Sequence, residues 1–274
     1  MRLNSARGVI MAAVVYLLFR IGAQVVPVRI ARQELLILLS VALFMLLQLA
    51  IIRGASGLRV SPKVTGWLIP AFALVVVGLS LVSGAVKMPL LPSVAVSALR
   101  DLGLMFFAVS LGYTVSVIVR EPNVLLPVAI FAAIVDFWSV NFGPLAILLA
   151  TRPEVVEAAA VQVPAVGHAV PVSMIGVGDF VFLALFFAVM YRYGMNIVGA
   201  FWLGYALLTA TMIAVIRVPW LNAVPALVPI AIAVVGANTR HFKLKRGEIL
   251  SIILVGVILL AFLILSVVML LRAS

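Results

Sequence analysis

The sequence predicts an all-α polytopic transmembrane helix bundle of about nine spans, and three observations carry that expectation. Of 274 residues, 66% are hydrophobic and 10% are charged, against roughly 45–50% and 25% in ordinary soluble domains. The apolar residues gather in runs near the roughly 20 residues that a helix needs to cross a bilayer. The cations behind the net charge of +11 sit singly or in small groups between those runs, as topology signals and interfacial anchors do. Residues 1–274 therefore read as one integral membrane domain whose partner is the lipid bilayer and not a nucleic acid. No cysteine is present, which removes disulfides, thiolate nucleophiles and Cys metal sites from consideration.

In order, the apolar runs Val9–Val26, Leu35–Ile52, Gly66–Val86 and Leu99–Val119 form an N-terminal group of four spans within residues 1–120. The basic start MRLNSAR is not followed by a small-x-small cleavage site, so the first run reads as a retained span. Arg20 inside it reads as a snorkelling cation. The fifth run, Val124–Val140, continues past Asn141 and Gly143 into Leu145–Ala150, with Pro144 as a kink. Next comes the longest connection, Thr151–Pro171, which carries Pro153, Pro164, Glu154 and Glu157; a long loop in a compact chain is often functional. The sixth and seventh runs are Val172–Met190 and Ile197–Ile216. The eighth, Pro225–Ala237, is short and opens on prolines, the pattern of a broken helix whose freed backbone lies in protein or beside water. Residues 124–238 hold the candidate functional spans, and Ile249–Leu271 is the last span. Alternate connections hold eleven cations on the side of the N-terminus and seven on the other, which predicts an inside N-terminus. The expected location is a prokaryotic cell membrane.

Eight acids are present, and six of them, Glu34, Asp101, Glu121, Glu154, Glu157 and Glu248, fall in connections or at span ends. They read as solvated or interfacial. Asp136 in AIFAAIVDFWSV and Asp179 in MIGVGDFVFLALFF stand inside strongly apolar runs without a cation nearby in sequence. A charge at mid-membrane costs roughly 2.5–3.5 kcal/mol on the insertion scale, so such a residue is a functional candidate. If spans five and six are antiparallel neighbours, the two acids reach similar depths. Gly176, three residues before Asp179, and Gly178 would let a facing helix approach closely. Two carboxylates held together in a low-dielectric site share one proton. One then acts as base on water while the other protonates or polarises a carbonyl. The same pair also suits a proton relay in a secondary transporter, or two buried acids that glue helices together.

The series Asp136, then Gly176-Val177-Gly178-Asp179, then Pro225-Ala226-Leu227 resembles the presenilin and signal peptide peptidase family of intramembrane aspartyl proteases. That family carries an aspartate, a GxGD motif and a Pro-Ala-Leu stretch in this order, with one span between the last two. The resemblance covers roughly residues 130–238. It implies that Asp136 and Asp179 are the catalytic pair. It further implies that Gly176 and Gly178 shape the backbone at the second acid, and that Pro225, Ala226 and Leu227 hold substrate near both. The implied substrates are transmembrane segments of membrane proteins or remnant signal peptides, and no cofactor or metal is implied. Val135 stands where the family has a tyrosine, and a further span follows the Pro-Ala-Leu span. Prepilin peptidases, which are also GxGD membrane proteases, are a more distant resemblance, since the Pro-Ala-Leu stretch and the aromatic residues after Asp179 favour the presenilin side.

Other features need less. Gly54-Ala55-Ser56-Gly57 matches the GxSG of rhomboid proteases but reads as a turn between Arg53 and Arg59. His168 and His241 lie in connections, and no HExxH is present, which excludes that class of zinc protease. Trp67, Trp138, Trp202, Trp220, Tyr191 and Tyr193 suit an interfacial belt. Phe180, Phe182, Phe186 and Phe187 read as packing or lipid-facing residues. Lys243, Lys245 and Arg246 read as an anchor for anionic lipid.

Overall fold

The computed structural model describes residues 6–25, 33–58, 60–85, 88–164, 173–218, 224–243 and 245–273. Among them the chain is nearly all helical: α1 (Ala6–Val25), α2 (Gln33–Ser56), α3 (Pro62–Ala85), α4 (Leu90–Ser116), α5 (Leu125–Asn141), α6 (Pro144–Thr151) and the short α7 (Pro153–Ala158) come first. Strands β1 (Ala160–Val163) and β2 (Ser173–Gly176) follow, then α8 (Val177–Tyr193), α9 (Ile197–Arg217), α10 (Leu227–Asn238) and α11 (Arg246–Ala273). Seven helical segments are long and apolar enough to cross a membrane, with α5 and α6 together forming one of them. This is the make-up of an integral multipass membrane protein.

Helices α4 and α8 form the centre. An unbroken run on α8 from Leu183 to Met190 is buried, which a helix apolar on every side achieves only when other helices surround it. The tightest approach lies at Gly112 of α4, where an added Cβ would collide with the Val181 carbonyl and come within 2.9 Å of Ala184 Cβ on α8. Glycine there lets the two backbones touch, the usual way membrane helices gain packing contacts. Helix α3 lies against α4, and α11 rests lightly beside α5. Most large side chains on the outer faces of α3 and α11 are exposed, as lipid-facing surfaces are.

Several hydrogen bonds bring one set of helix ends to a single face. The Arg192 guanidinium donates to the carbonyls of Ser116 at 2.7 Å and Val119 at 3.3 Å, satisfying the free end of α4. The Tyr113 hydroxyl donates to Val60 O at 3.0 Å, the Asn196 amide donates to Asn238 Oδ1 at 2.7 Å, and the Lys243 amide donates to Asn123 Oδ1 at 3.1 Å. The same face therefore gathers Lys63, Arg120, Arg192, Arg240 and Lys243. Asp136 and Asp179 sit away from it, roughly 16 Å along α5 and roughly 21 Å along α8 at 1.5 Å per residue.

The structure departs from the sequence expectations at several points. The first turn expected of the sixth span is a strand: β2 pairs antiparallel with β1, Ala160 opposite Gly176 and Val163 opposite Ser173. Ser-Met-Ile and Ala-Val-Gln-Val are short, partly β-branched stretches that favour extended backbone, so the connection expected after Thr151 is partly built, as α7 and a two-stranded hairpin. The kink expected at Pro144 is a break, with Pro144 opening α6 at its N1 position. Gly54, Ala55 and Ser56 close α2 and are not a turn. Arg100 lies within α4 and not in a connection. Asp101 and Arg20, read as interfacial and snorkelling, are both fully buried, with Arg20 Nε 3.4 Å from Asp101 Oδ2. Each supplies the other's countercharge, which is what permits their burial. His168, Trp220 and Pro171 lie outside the described residues, as do Arg29, Arg32, Arg59 and Lys87.

Candidate functional site

The stretch Pro225-Ala226-Leu227 forms the entrance to α10. Pro225 and Ala226 precede the helix, Ala226 is its N-cap, and all three residues are buried. The first turn of a helix leaves amides without intrahelical partners, and Pro229, at the third helical position, has none to offer. Leu227 and Val228 therefore carry the unsatisfied donors, and the Leu227 amide donates to Asp136 Oδ2 at 2.9 Å. A carboxylate at a helix N-terminus is also favoured by the helix dipole. Asp136 projects from α5, and α10 packs along both α5 and α9.

Asp179 is the third residue of α8, whose N-cap is Gly176. An acid at that position can reach back toward the N-cap amide, as in a capping box, and the Asp179 carboxyl lies beside the Gly176 backbone. Asp179 Oδ2 would lie 3.4 Å from a Cβ placed on Gly176. Gly176 is thus the last strand residue and the cap of α8, and does not share a helix face with Asp179. The hairpin fixes this cap: Gly176 pairs with Ala160, and the Val177 amide donates to Ala159 O at 3.0 Å. Gly178 is exposed, with nothing within 4 Å of an added Cβ. It does not mediate close helix packing, because the space beside it is open.

Asp136 lies within electrostatic reach of Asp179, and both are half-buried. The structure places Asp136 with Leu227 at the entrance to α10 and Asp179 with Gly176 at the start of α8. Helices α5 and α8 are not the simple neighbours expected, since the start of α10 is the element bound to Asp136. Among the described residues, no group of three His, Asp or Glu side chains could hold a metal ion. Phe180, Phe186 and Phe187 are buried packing residues. Two half-buried carboxylates in an apolar setting, one of them accepting from the Leu227 amide, are groups that can exchange protons with a polar group placed between them.

Sequence reasoning missed Gln162 on β1, which accepts from Arg20 Nη2 at 3.0 Å and ties the hairpin to α1. Compared with family models, curated proteins and solved structures, the chain matches none.

Proposed function

We propose that the chain is an intramembrane aspartic endopeptidase of presenilin-like architecture. It hydrolyses peptide bonds in transmembrane segments or remnant signal peptides within a prokaryotic cell membrane. The observation that supports this most is the hydrogen bond from the Leu227 amide to Asp136, with a second carboxylate, Asp179, within electrostatic reach at the start of α8. In this reading α8 and α10 complete a set of nine spans. Both are shorter than the seven crossing segments, and β2 before α8 and the turn at Pro225-Ala226 before α10 add to their depth.

The chemistry follows from one proton shared by two acids. The ionised carboxylate takes a proton from water, the protonated one gives a hydrogen bond to the scissile carbonyl, and the water oxygen adds to the carbonyl carbon. Collapse of the tetrahedral intermediate expels the amine, which takes up a proton from the pair. The substrate helix must unwind to present its carbonyl. The extended backbone of β2 at the start of α8 offers it strand-like hydrogen bonds in return, and the open space at Gly178 leaves room for it.

Reconstituted protein incubated with a transmembrane peptide tests the proposal. Cleavage that disappears in both Asp136→Asn and Asp179→Asn is the expected result. An intact peptide together with pH-driven flux across the liposomes would make the pair a proton relay of a transporter instead, and cleavage unaffected by either change would remove the assignment.

A further inference from the structure

A second polar cluster lies among α1, α2 and α4. Tyr16, Arg20, Gln48 and Asp101 are all 0% exposed, and Arg100 joins them with a side chain 13% exposed. Tyr16 is the common neighbour: it lies within electrostatic reach of Asp101, Arg20 and Arg100 and beside the Gln48 amide. Arg20 Nε approaches Asp101 Oδ2 at 3.4 Å, and Arg100 Nη2 stands 3.6 Å from Asp101 Oδ1. Arg20 spends Nη2 on Gln162 of β1.

These bonds leave the cluster incomplete. Among the described residues, Arg20 Nη1, Arg100 Nε and Nη2, and Asp101 Oδ1 are buried without a hydrogen-bond partner, and the Tyr16 hydroxyl and the Gln48 amide have none beyond each other. Buried polar atoms of native proteins are almost all satisfied, so something other than these side chains completes the group. Its chemistry is set by what is left over. The unpartnered atoms are mostly donors, from a phenol, an amide and two guanidinium groups, and the two guanidinium groups face a single carboxylate. Water would satisfy the hydrogen bonds but leave one positive charge uncompensated in an apolar interior, where an unpaired charge costs several kcal/mol. A small monovalent anion satisfies both demands.

We propose that Tyr16, Arg20, Gln48 and Arg100 bind a small monovalent anion such as chloride inside the bundle, with Asp101 holding the two guanidinium groups around it. The site is separate from Asp136 and Asp179 and does not depend on the chemistry proposed for them.

The test is thermal unfolding of the purified full chain in detergent at constant ionic strength, with gluconate replaced stepwise by chloride from about 1 to about 100 mM. A ligand that binds only the folded state raises Tm saturably with its concentration. The expected result is such a rise in the wild type, with the half-saturating concentration moved upward about tenfold in Gln48→Leu, which removes one neutral partner worth about 1.4 kcal/mol and keeps every charge. If Gln48→Leu does not fold, Tyr16→Phe, which deletes one hydroxyl, takes its place. Crystals grown in bromide should show an anomalous peak between Arg20 and Arg100. Equal Tm in chloride and gluconate would overturn the proposal in favour of water. An equal response in wild type and variant, or bromide only at the surface, would overturn it in favour of nonspecific anion binding.

Discussion

The backbone amide of Leu227 donates to the carboxylate of Asp136 at 2.9 Å across 91 positions of sequence. One acid in α5 thus serves as acceptor for the unsatisfied N-terminus of α10, and the Pro-Ala-Leu entrance cannot be displaced without releasing it.

That relationship separates a structural role from a catalytic one. Asp136→Ala leaves the Leu227 amide unpaired and is expected to lower stability by about 1–3 kcal/mol. Asp136→Asn keeps a carbonyl oxygen for the amide and should unfold close to the wild type, while cleavage falls at least about 10²-fold, as loss of a general acid or base requires. Unfolding in detergent and peptide cleavage, measured on both variants, check the two halves independently. Equal stability of Ala and Asn variants would mean that the hydrogen bond contributes nothing to holding α10.

The close approach of α4 and α8 gives a sharper packing test. Gly112→Ala drives a methyl group into the Val181 carbonyl and Ala184, backbone and a stub that cannot rotate away. The expected loss is about 1–3 kcal/mol, the range of overpacked cores. Gly178→Ala meets nothing within 4 Å and should stay within about 0.5 kcal/mol of wild type, as surface changes do. Comparing the two Tm values is sufficient.

The Arg20–Asp101 pair predicts non-additivity. Asp101→Leu alone strands the buried Arg20 guanidinium and should cost about 3–5 kcal/mol, whereas Arg20→Met leaves Asp101 with Arg100, whose Nη2 stands 3.6 Å from its Oδ1, and should cost less. The double variant removes both members and should cost clearly less than the two losses combined. A double-mutant cycle on unfolding free energies reads that difference, and strict additivity would mean that the pair is not coupled.

Legibility in the sequence followed the range of the signal. Asp136 and Asp179 stand out because nothing within a helical turn neutralises them, and the glycine and proline punctuation around Asp179 and Leu227 is local too. Apolar runs likewise mark the helices without reference to the rest of the fold. Asp101 was hidden by Arg100 beside it, which made it look like an interfacial pair, while its companion Arg20 lies 81 positions away. The hairpin was hidden for a similar reason: four-residue strands in an apolar chain have the composition of a helix end, and only their pairing, Gln162 opposite Met174, distinguishes them. Helix lengths were legible in part: the shortness of α10, 12 residues, shows in the proline-led run Pro225–Ala237, whereas α8, 17 residues, resembles a fuller span because Ser173–Gly176 of β2 continue its apolar run.

Asn238 provides the last expectation, because it anchors α10 at the end opposite Leu227. Fully buried, it accepts from the Asn196 amide at 2.7 Å and donates to Val234 O at 2.9 Å and Met190 Sδ at 3.3 Å. It therefore joins α10 to the turn between α8 and α9. Asn238→Leu fills the volume but leaves the Asn196 amide unsatisfied, at an expected cost of about 1–3 kcal/mol. Asn238→Asp preserves the acceptor for Asn196 and loses the two donated bonds, and it also buries a carboxyl group, so it should be no milder than Leu. The far end of α10 would loosen in both, while the Leu227–Asp136 bond remains. Hydrogen exchange resolved along α10 should therefore quicken near Val234 and stay slow at Leu227. Uniform acceleration along the helix would show instead that the two ends are held as a single cooperative unit.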